Sequence, residues 1–271
     1  MLREADVASG AQAWTRISPG VGDTVLAVDF DMTGRREATF RDLARRLPAD
    51  LTLWQTAPPH DSYWSTIPAN RYLRHWRDHP DDKRQPVRAV IGYCAGSVFA
   101  RVIAADLAAH QDRPPALVLF NPGVPNARTL NRDFDKIVGS LTALSQDERR
   151  SLNEDLLRLR EQAGDDFDEL SAGCVRLYRK AGVIAFERQG IDRDIAVELV
   201  ALFGAYVSYL AAARSLQGHP GGPPAVALTS REPDSAEGFI GERVGFDVAR
   251  ENLLDDPAAA AAAARLITAG G

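Results

Sequence analysis

The 271-residue sequence has few cysteines, few histidines and no excess of positive charge, and each of these shortages argues against a class of protein. Its two cysteines allow at most one disulfide, and because one of them lies in the tight turn described below, we expect reduced thiols. The five histidines are scattered, so no Cys/His cluster predicts a metal site. A formal net charge of -5 without a basic stripe argues against nucleic-acid binding.

The sequence also lacks an apolar run long enough to span a bilayer, which argues against a membrane partner. Residues 1–16 lack the apolar core of a signal peptide, so we expect a cytoplasmic protein. Hydrophobic residues make up 45% of the chain, which is enough for the core of one large domain, with or without an inserted cap.

Strand-like apolar runs alternate with helical patterns in the first half of the chain. The strands are predicted at residues 24–30, 51–55, 87–91 and 116–120, and the helices between them at residues 38–47, 67–79 and from residue 96 onwards. This alternation predicts an α/β protein with a mostly parallel, doubly wound sheet. In such sheets the chemistry lies beyond the carboxyl ends of the strands.

Residues 124–222 carry helical patterns and no strand pattern. The helical stretches lie at residues 134–144, 147–163, 167–180 and 195–216. We interpret them as a helical lid inserted into a single domain of residues 1–271, and a separate helical domain is the alternative. The sheet resumes at residues 225–229, followed by a last strand at 244–249 and a terminal helix opened by Asp256 and Pro257.

The turn after the strand at 87–91 contains the pattern G-x-C-x-G, from Gly92 to Gly96. A strand, a tight turn and a helix in this order form a nucleophile elbow, in which the central residue stands exposed above the sheet. Glycine flanks that residue because a Cβ there would collide with the neighbouring strand or helix. The pattern predicts that Cys94 is a nucleophile whose thiolate is favoured by the start of the next helix. The alternative is that Cys94 is only a small buried residue.

The order of these elements over residues 24–267 resembles that of the α/β-hydrolase thioesterases of non-ribosomal peptide and polyketide synthesis. Residues 40–48 look like the first helix of those enzymes, and residues 90–96 look like their elbow. Residues 206–210 look like the end of their lid, and residues 252–257 look like the segment after their catalytic histidine.

The resemblance implies an α/β-hydrolase fold and a partner that is an acyl or peptidyl carrier protein or a synthase module. The substrate would arrive on the phosphopantetheine arm of that partner, and the protein would need no cofactor of its own. By analogy with the family, the oxyanion would be held by the backbone N–H groups of Ala95 and of Met32 or Asp31.

The sequence departs from this family at both partners of the nucleophile. Asn121 occupies the position of the acid, and an amide cannot carry the charge that stabilises an imidazolium. Arg250 occupies the position of the histidine, and arginine is never deprotonated in a protein. Asp234 is an alternative acid, and His60 or His219 is an alternative base.

A cysteine without a general base can attack a thioester, but the resulting acyl-enzyme has no activated water to hydrolyse it. We therefore expect an acyl- or aminoacyl-transferase that carries its group on Cys94 and passes it to a thiol or an amine. Related cysteine proteins of the family shuttle aminoacyl groups between carrier proteins. Two alternatives remain: a thioesterase that uses His60, His219 or a carboxylate as its base, and a non-catalytic scaffold that binds a carrier protein.

Overall fold

The structure is a computed structural model that describes residues 12–31, 36–78, 86–139, 141–219, 222–232 and 241–269. Within these residues seven strands form one sheet, in the order β1-β3-β2-β4-β5-β6-β7. Strand β1 is antiparallel to β3, and all the other neighbouring pairs are parallel. The strands are β1 (Trp14–Arg16), β2 (Thr24–Val28), β3 (Thr52–Thr56), β4 (Val87–Tyr93), β5 (Ala116–Phe120), β6 (Ala225–Thr229) and β7 (Glu242–Gly245).

Helices connect the strands in the alternating order that the sequence predicts. They are α1 (Phe40–Ala44), α2 (Ala69–His75), α3 (Gly96–His110), α4 (Ala127–Gly139), α5 (Gln146–Ala163), α6 (Phe167–Arg188), α7 (Arg193–Ser215) and α8 (Pro257–Ala269). Two 3₁₀ turns, His60–Tyr63 and Arg250–Asp255, complete the described elements. The prediction of a mostly parallel sheet between helices is confirmed.

The central strands are mostly apolar because both faces of the sheet are covered. All five residues of β2 are buried, and so are six of the seven residues of β4. One face packs against α2, α3 and α7, where Tyr72, Phe99 and Tyr209 form an aromatic cluster. The other face packs against α1 and α8. These two cores hold the strand ends, and hence the elbow, in place.

Between β5 and β6 the described residues form four helices, α4 to α7, which we call the helical insertion. Helix α7 is long and apolar enough to cross a bilayer by length and composition, contrary to the expectation from the sequence. More than half of its apolar stretch is buried inside the molecule, however, as in the core helix of a folded domain. That the insertion acts as a lid stays a prediction.

Two helix starts show how local side chains set the boundaries of the elements. Helix α4 begins at Ala127, earlier than the predicted 134, because the Asn126 side chain accepts a hydrogen bond from the N–H of Thr129 at 2.9 Å. Helix α8 begins as predicted, with Asp256 accepting from the N–H of Ala259 at 2.8 Å. Strand β7 lies at 242–245 rather than at the predicted 244–249.

Candidate active site

The elbow turn places Cys94 directly after β4 with a positive φ of 50°. An L-residue rarely adopts this conformation, so the surrounding packing must impose it. A Cβ on Gly92 would lie 2.8 Å from the Ala100 Cβ of α3, and a Cβ on Gly96 would lie 2.1 Å from the carbonyl oxygen of Val28 in β2. Both glycines are therefore required by close approach, one to the helix and one to the strand, as the sequence predicts.

Three backbone hydrogen bonds fix the main chain of Cys94. Its N–H donates to the carbonyl of Phe120 at 3.0 Å, and its own carbonyl accepts from Ser97 at 3.1 Å and from Gly123 at 3.3 Å. The side chain is a free thiol and is partly buried. Helix α3 starts two residues later, so the N–H of Ala95 lies where an oxyanion donor is expected.

Arg250 reaches the sulfur of Cys94 from the 3₁₀ turn that precedes α8. Its Nη2 donates a hydrogen bond to Sγ at 3.2 Å, and its guanidinium lies 5.8 Å from the centre of the Tyr93 ring. The Arg250 residue is only 9% exposed. The structure therefore brings together two residues that lie 156 positions apart in the sequence and that the sequence analysis singled out.

The charge of Arg250 determines what this pair can do. A guanidinium has five donors and no acceptor, so Arg250 cannot take a proton from Cys94, from water or from an acceptor. A guanidinium at hydrogen-bond distance stabilises a negatively charged sulfur more than a neutral thiol. The contact therefore favours the thiolate form of Cys94.

Asn121, at the expected position of the acid, is fully buried at the end of β5 and has a positive φ of 41°. Its side-chain Oδ1 accepts from the N–H of Ser230 at 2.9 Å, and its Nδ2 donates to the Ser230 hydroxyl at 3.0 Å. Ser230 follows β6 directly. The amide thus ties the ends of β5 and β6 together and supplies no negative charge to the site.

The remaining candidates for acid, base and oxyanion donor are either outside the described residues or exposed. Asp234 and Met32 lie outside the described residues. His60 is exposed, in the 3₁₀ turn that follows β3. His219 is exposed and lies on the stretch that leads into the amino end of β6, the opposite edge of the sheet from Cys94.

A tyrosine and a carboxylate from the helical insertion lie beside the elbow, and the sequence analysis missed the carboxylate. The hydroxyl of Tyr206 in α7 donates to Asp133 in α4 at 2.6 Å. Burial, followed by the charges of Asp133 and Cys94, raises the pKa of Tyr206 well above its usual value, so its hydroxyl stays protonated. The sequence carries no signal for Asp133, because a charged residue on an amphipathic helix is usually solvated.

Comparisons with known proteins bear on the fold of the whole chain. No family model matches the sequence, and no curated protein matches it. Solved structures do match. One is holo-AB3403, a four-domain nonribosomal peptide synthetase bound to AMP and glycine, with 15% identity and a TM-score of 0.51 over 95% of this chain and 20% of that chain. The chain thus spans about a fifth of the length of the synthetase.

Two further matches cover nearly the whole of both chains. The NocB thioesterase domain from the nocardicin cluster is 16% identical, with a TM-score of 0.49 over 96% of this chain and 99% of that chain. An α/β-hydrolase-fold protein from Nakamurella multipartita is 14% identical, with a TM-score of 0.45 over 93% and 94%.

This chain has an α/β-hydrolase fold. Within that fold, Cys94, which the sequence predicts to be the nucleophile, lies on a turn with a positive φ. The two other triad positions expected from the sequence carry Arg250, which contacts the sulfur, and Asn121, which binds Ser230.

Proposed function

We propose that this protein is a cysteine-dependent acyl- or aminoacyl-transferase. It accepts the group from a thioester on an acyl or peptidyl carrier protein, holds it on Cys94 and passes it to another thiol or to an amine. The observation that carries this proposal is the 3.2 Å contact between Arg250 and the Cys94 sulfur. That contact favours a nucleophile and at the same time supplies no base.

In the first step, the Cys94 thiolate attacks the carbonyl carbon of the incoming thioester. The bond between that carbon and the phosphopantetheine sulfur breaks, and the released thiolate takes a proton from solvent. One thioester replaces another, so little free energy is lost. The N–H of Ala95 and the start of α3 stabilise the negative charge on the carbonyl oxygen in the transition state.

In the second step, an acceptor attacks the acyl-enzyme, and the nature of that acceptor decides between transfer and hydrolysis. Water must lose a proton as it attacks, and a general base speeds such a step by about 10²- to 10⁴-fold. Arg250 cannot act as that base, and the amide of Asn121 is neutral and bound to Ser230. A thiol acceptor attacks as its own thiolate and needs no such help. The acyl-enzyme should therefore hydrolyse slowly and react instead with a second thiol.

The choice of a carrier protein as donor rests on the sequence resemblance. The match between this chain and a fifth of a four-domain nonribosomal peptide synthetase agrees with that choice. The donor and the acceptor are therefore proposed to be carrier domains or a synthase module.

Intact-protein mass spectrometry after mixing with an acyl-loaded carrier protein tests the proposal. Wild type is compared with Cys94→Ala and with Cys174→Ala, which removes the buried thiol and serves as the matched control. We expect a persistent acyl adduct that requires Cys94, survives in Cys174→Ala and moves to a second, unloaded carrier.

Two other outcomes would overturn the proposal. Rapid release of free acid without an adduct would mean that a base exists and that the protein is a thioesterase. The absence of both adduct and acid over a range of acyl groups would leave a scaffold that only binds carrier proteins.

A further inference from the structure

The helical insertion holds a hydrogen-bonded pair, Tyr206 and Asp133, that the transfer mechanism above does not use. The Tyr206 hydroxyl donates to Oδ2 of Asp133 at 2.6 Å and so joins α7 to α4. The Asp133 side chain is only 14% exposed. Its other oxygen, Oδ1, accepts from Nε of Arg132 at 3.1 Å, and that arginine side chain is 38% exposed. Taking a carboxylate largely out of water costs free energy, and a partly exposed arginine offsets only part of that cost.

The position of Tyr206 on α7 places the pair beside the elbow. Tyr209 follows three residues later on the same side of the helix, and its hydroxyl lies 2.9 Å from the point that a Cβ on Gly96 would occupy. The ring of Phe30, just after β2, packs against Tyr206 at 5.5 Å and against Tyr209 at 5.4 Å. Burial and nearby charges, that of Cys94 among them, raise the pKa of Tyr206. The hydroxyl of Tyr206 and the sulfur of Cys94 therefore belong to one site.

The pair offers hydrogen-bond acceptors to a bound molecule and no donor. A tyrosine hydroxyl has one proton, and Tyr206 donates it to Asp133, so the hydroxyl oxygen can only accept from a third group. An ionised carboxylate also only accepts. A charged N–H donor binds such acceptors about twice as strongly as a neutral donor does. The group that fits the pair best is therefore an ammonium.

The charges around the elbow favour one orientation of the substrate. Arg250 contacts the sulfur of Cys94, so positive charge is concentrated where the thioester sulfur will lie. Asp133 places negative charge on the side of the insertion, and Arg132 opposes it from a more exposed position, where water and salt screen its charge. A thioester with an ammonium on its acyl part matches both charges, whereas a carboxylate in the same place is repelled by Asp133.

We propose that Asp133 and Tyr206 form a specificity site that selects transferred groups with an ammonium close to the carbonyl and disfavours neutral and acidic acyl groups. The proposal rests on the proposed function, because it takes Cys94 as the point of attachment. The proposed function leaves open whether the transferred group carries an amine, and this pair decides in favour of one. The ammonium comes from an α-amino group or from the end of a short side chain, since both bring the same chemistry to the pair.

Acylation of Cys94 by pantetheine thioesters that differ in one group tests the specificity site. Alanyl-pantetheine carries an α-ammonium, propionyl-pantetheine has hydrogen in its place, and β-alanyl-pantetheine carries the ammonium one carbon further away. Intact-mass time courses at about pH 6.5, where an α-amino group is charged, give the rate constant for each thioester. An ammonium also makes a thioester more reactive towards any thiol, so each constant is divided by that for 2-mercaptoethanol in solution.

Two variants and a matched control separate the charge of the pair from its structural role. Asp133→Asn keeps an oxygen that can accept from the Tyr206 hydroxyl but removes the charge, and Tyr206→Phe removes only the hydroxyl. Asp135→Asn, the control, removes an exposed carboxylate from the same helix.

We expect wild type and Asp135→Asn to prefer an amine thioester over the propionyl thioester by about 10- to 100-fold, because a hydrogen bond to a charged group is lost without the ammonium. Asp133→Asn should lose most of this preference and Tyr206→Phe a part of it. Whichever of the alanyl and β-alanyl thioesters reacts faster identifies the source of the ammonium. An unchanged preference in Asp133→Asn, or an equal loss of rate with all three thioesters, would overturn the specificity site.

Unreactive amides separate this inference from the proposed function. In these probes an N–H group replaces the thioester sulfur of alanyl- and propionyl-pantetheine, and titration calorimetry measures their Kd with wild type. If no thioester acylates Cys94, the transferase proposal fails, while tighter binding of the alanyl amide still supports the specificity site. If Cys94 is acylated without a preference and the two amides have equal Kd, the transferase stands and the specificity site is wrong.

Discussion

Replacing Arg250 by Gln tests whether the guanidinium holds the Cys94 sulfur as a thiolate. Gln retains a side-chain donor but removes the positive charge at a residue that is only 9% exposed. A hydrogen bond to a charged group contributes about 1.5–3 kcal/mol. Each ~1.4 kcal/mol is a tenfold change in an equilibrium. The ratio of thiolate to thiol at Cys94 should therefore fall by roughly 10- to 100-fold in the variant.

The rate of alkylation by iodoacetamide combines this loss with an opposing gain. A thiolate that holds its proton more tightly is also the stronger nucleophile, with a Brønsted coefficient of about 0.4–0.5. Where both proteins are mostly thiol, Arg250→Gln should react roughly 3- to 15-fold more slowly than wild type. In alkaline buffer, where both are thiolate, it should react about 3- to 10-fold faster. The two curves of rate against pH must cross.

Intact-mass time courses over a series of pH values measure these curves. Arg265→Gln, an exposed position on α8, is the matched control and should follow wild type. A curve for Arg250→Gln that overlies that of wild type would refute the claim that the guanidinium favours the thiolate. Slower reaction at every pH, without a crossing, would mean that the variant has distorted the elbow instead.

Three further predictions concern reactivity and stability. Iodoacetamide should modify Cys94 in the native protein and Cys174 only after unfolding, because burial raises the pKa of the Cys174 thiol to about 12; peptide mapping distinguishes the two. Gly96→Ala should destabilise the fold by about 1–3 kcal/mol in urea unfolding, since its Cβ would lie 2.1 Å from a strand carbonyl. Gly139→Ala, whose Cβ meets no atom within 4 Å, should be tolerated in the same assay. The third prediction concerns Glu148, which accepts hydrogen bonds from Arg188. These bonds lower the pKa of Glu148 from its ordinary 4.5 to about 2. Its contribution to stability is therefore present above pH 4.5 and lost as the pH falls to about 2, and the difference in Tm between wild type and Glu148→Gln should shrink over that window.

The fold could be predicted from the sequence because its strongest signals are local. The central strands are nearly continuous apolar runs, as expected for strands buried on both faces. The glycines at 92 and 96 indicate from the sequence the two close approaches that the elbow makes. Element boundaries were less predictable, because they depend on single side chains such as that of Asn126 at the start of α4.

The site could be predicted only in part. Cys94 follows from the elbow pattern, and Arg250 follows from its place before the segment at 252–257, which resembles the family. The contacts of Tyr206 with Asp133 and of Asn121 with Ser230 could not be predicted. Each joins elements that are distant in sequence, and no periodicity indicates which polar side chains will meet.

The two departures from a triad are consistent with a single change in chemistry. An acid in a triad orients a histidine and stabilises its positive charge. With Arg250 in the place of that histidine, the cation is permanent and binds the sulfur directly, so an acid has no proton transfer to support. The residue at the acid position is then free to serve packing, and Asn121 does so by joining β5 to β6 through Ser230. Under the proposed function, the same substitution removes the base that hydrolysis needs and supplies a charge that favours the thiolate, so transfer to a thiol is expected to outpace release to water.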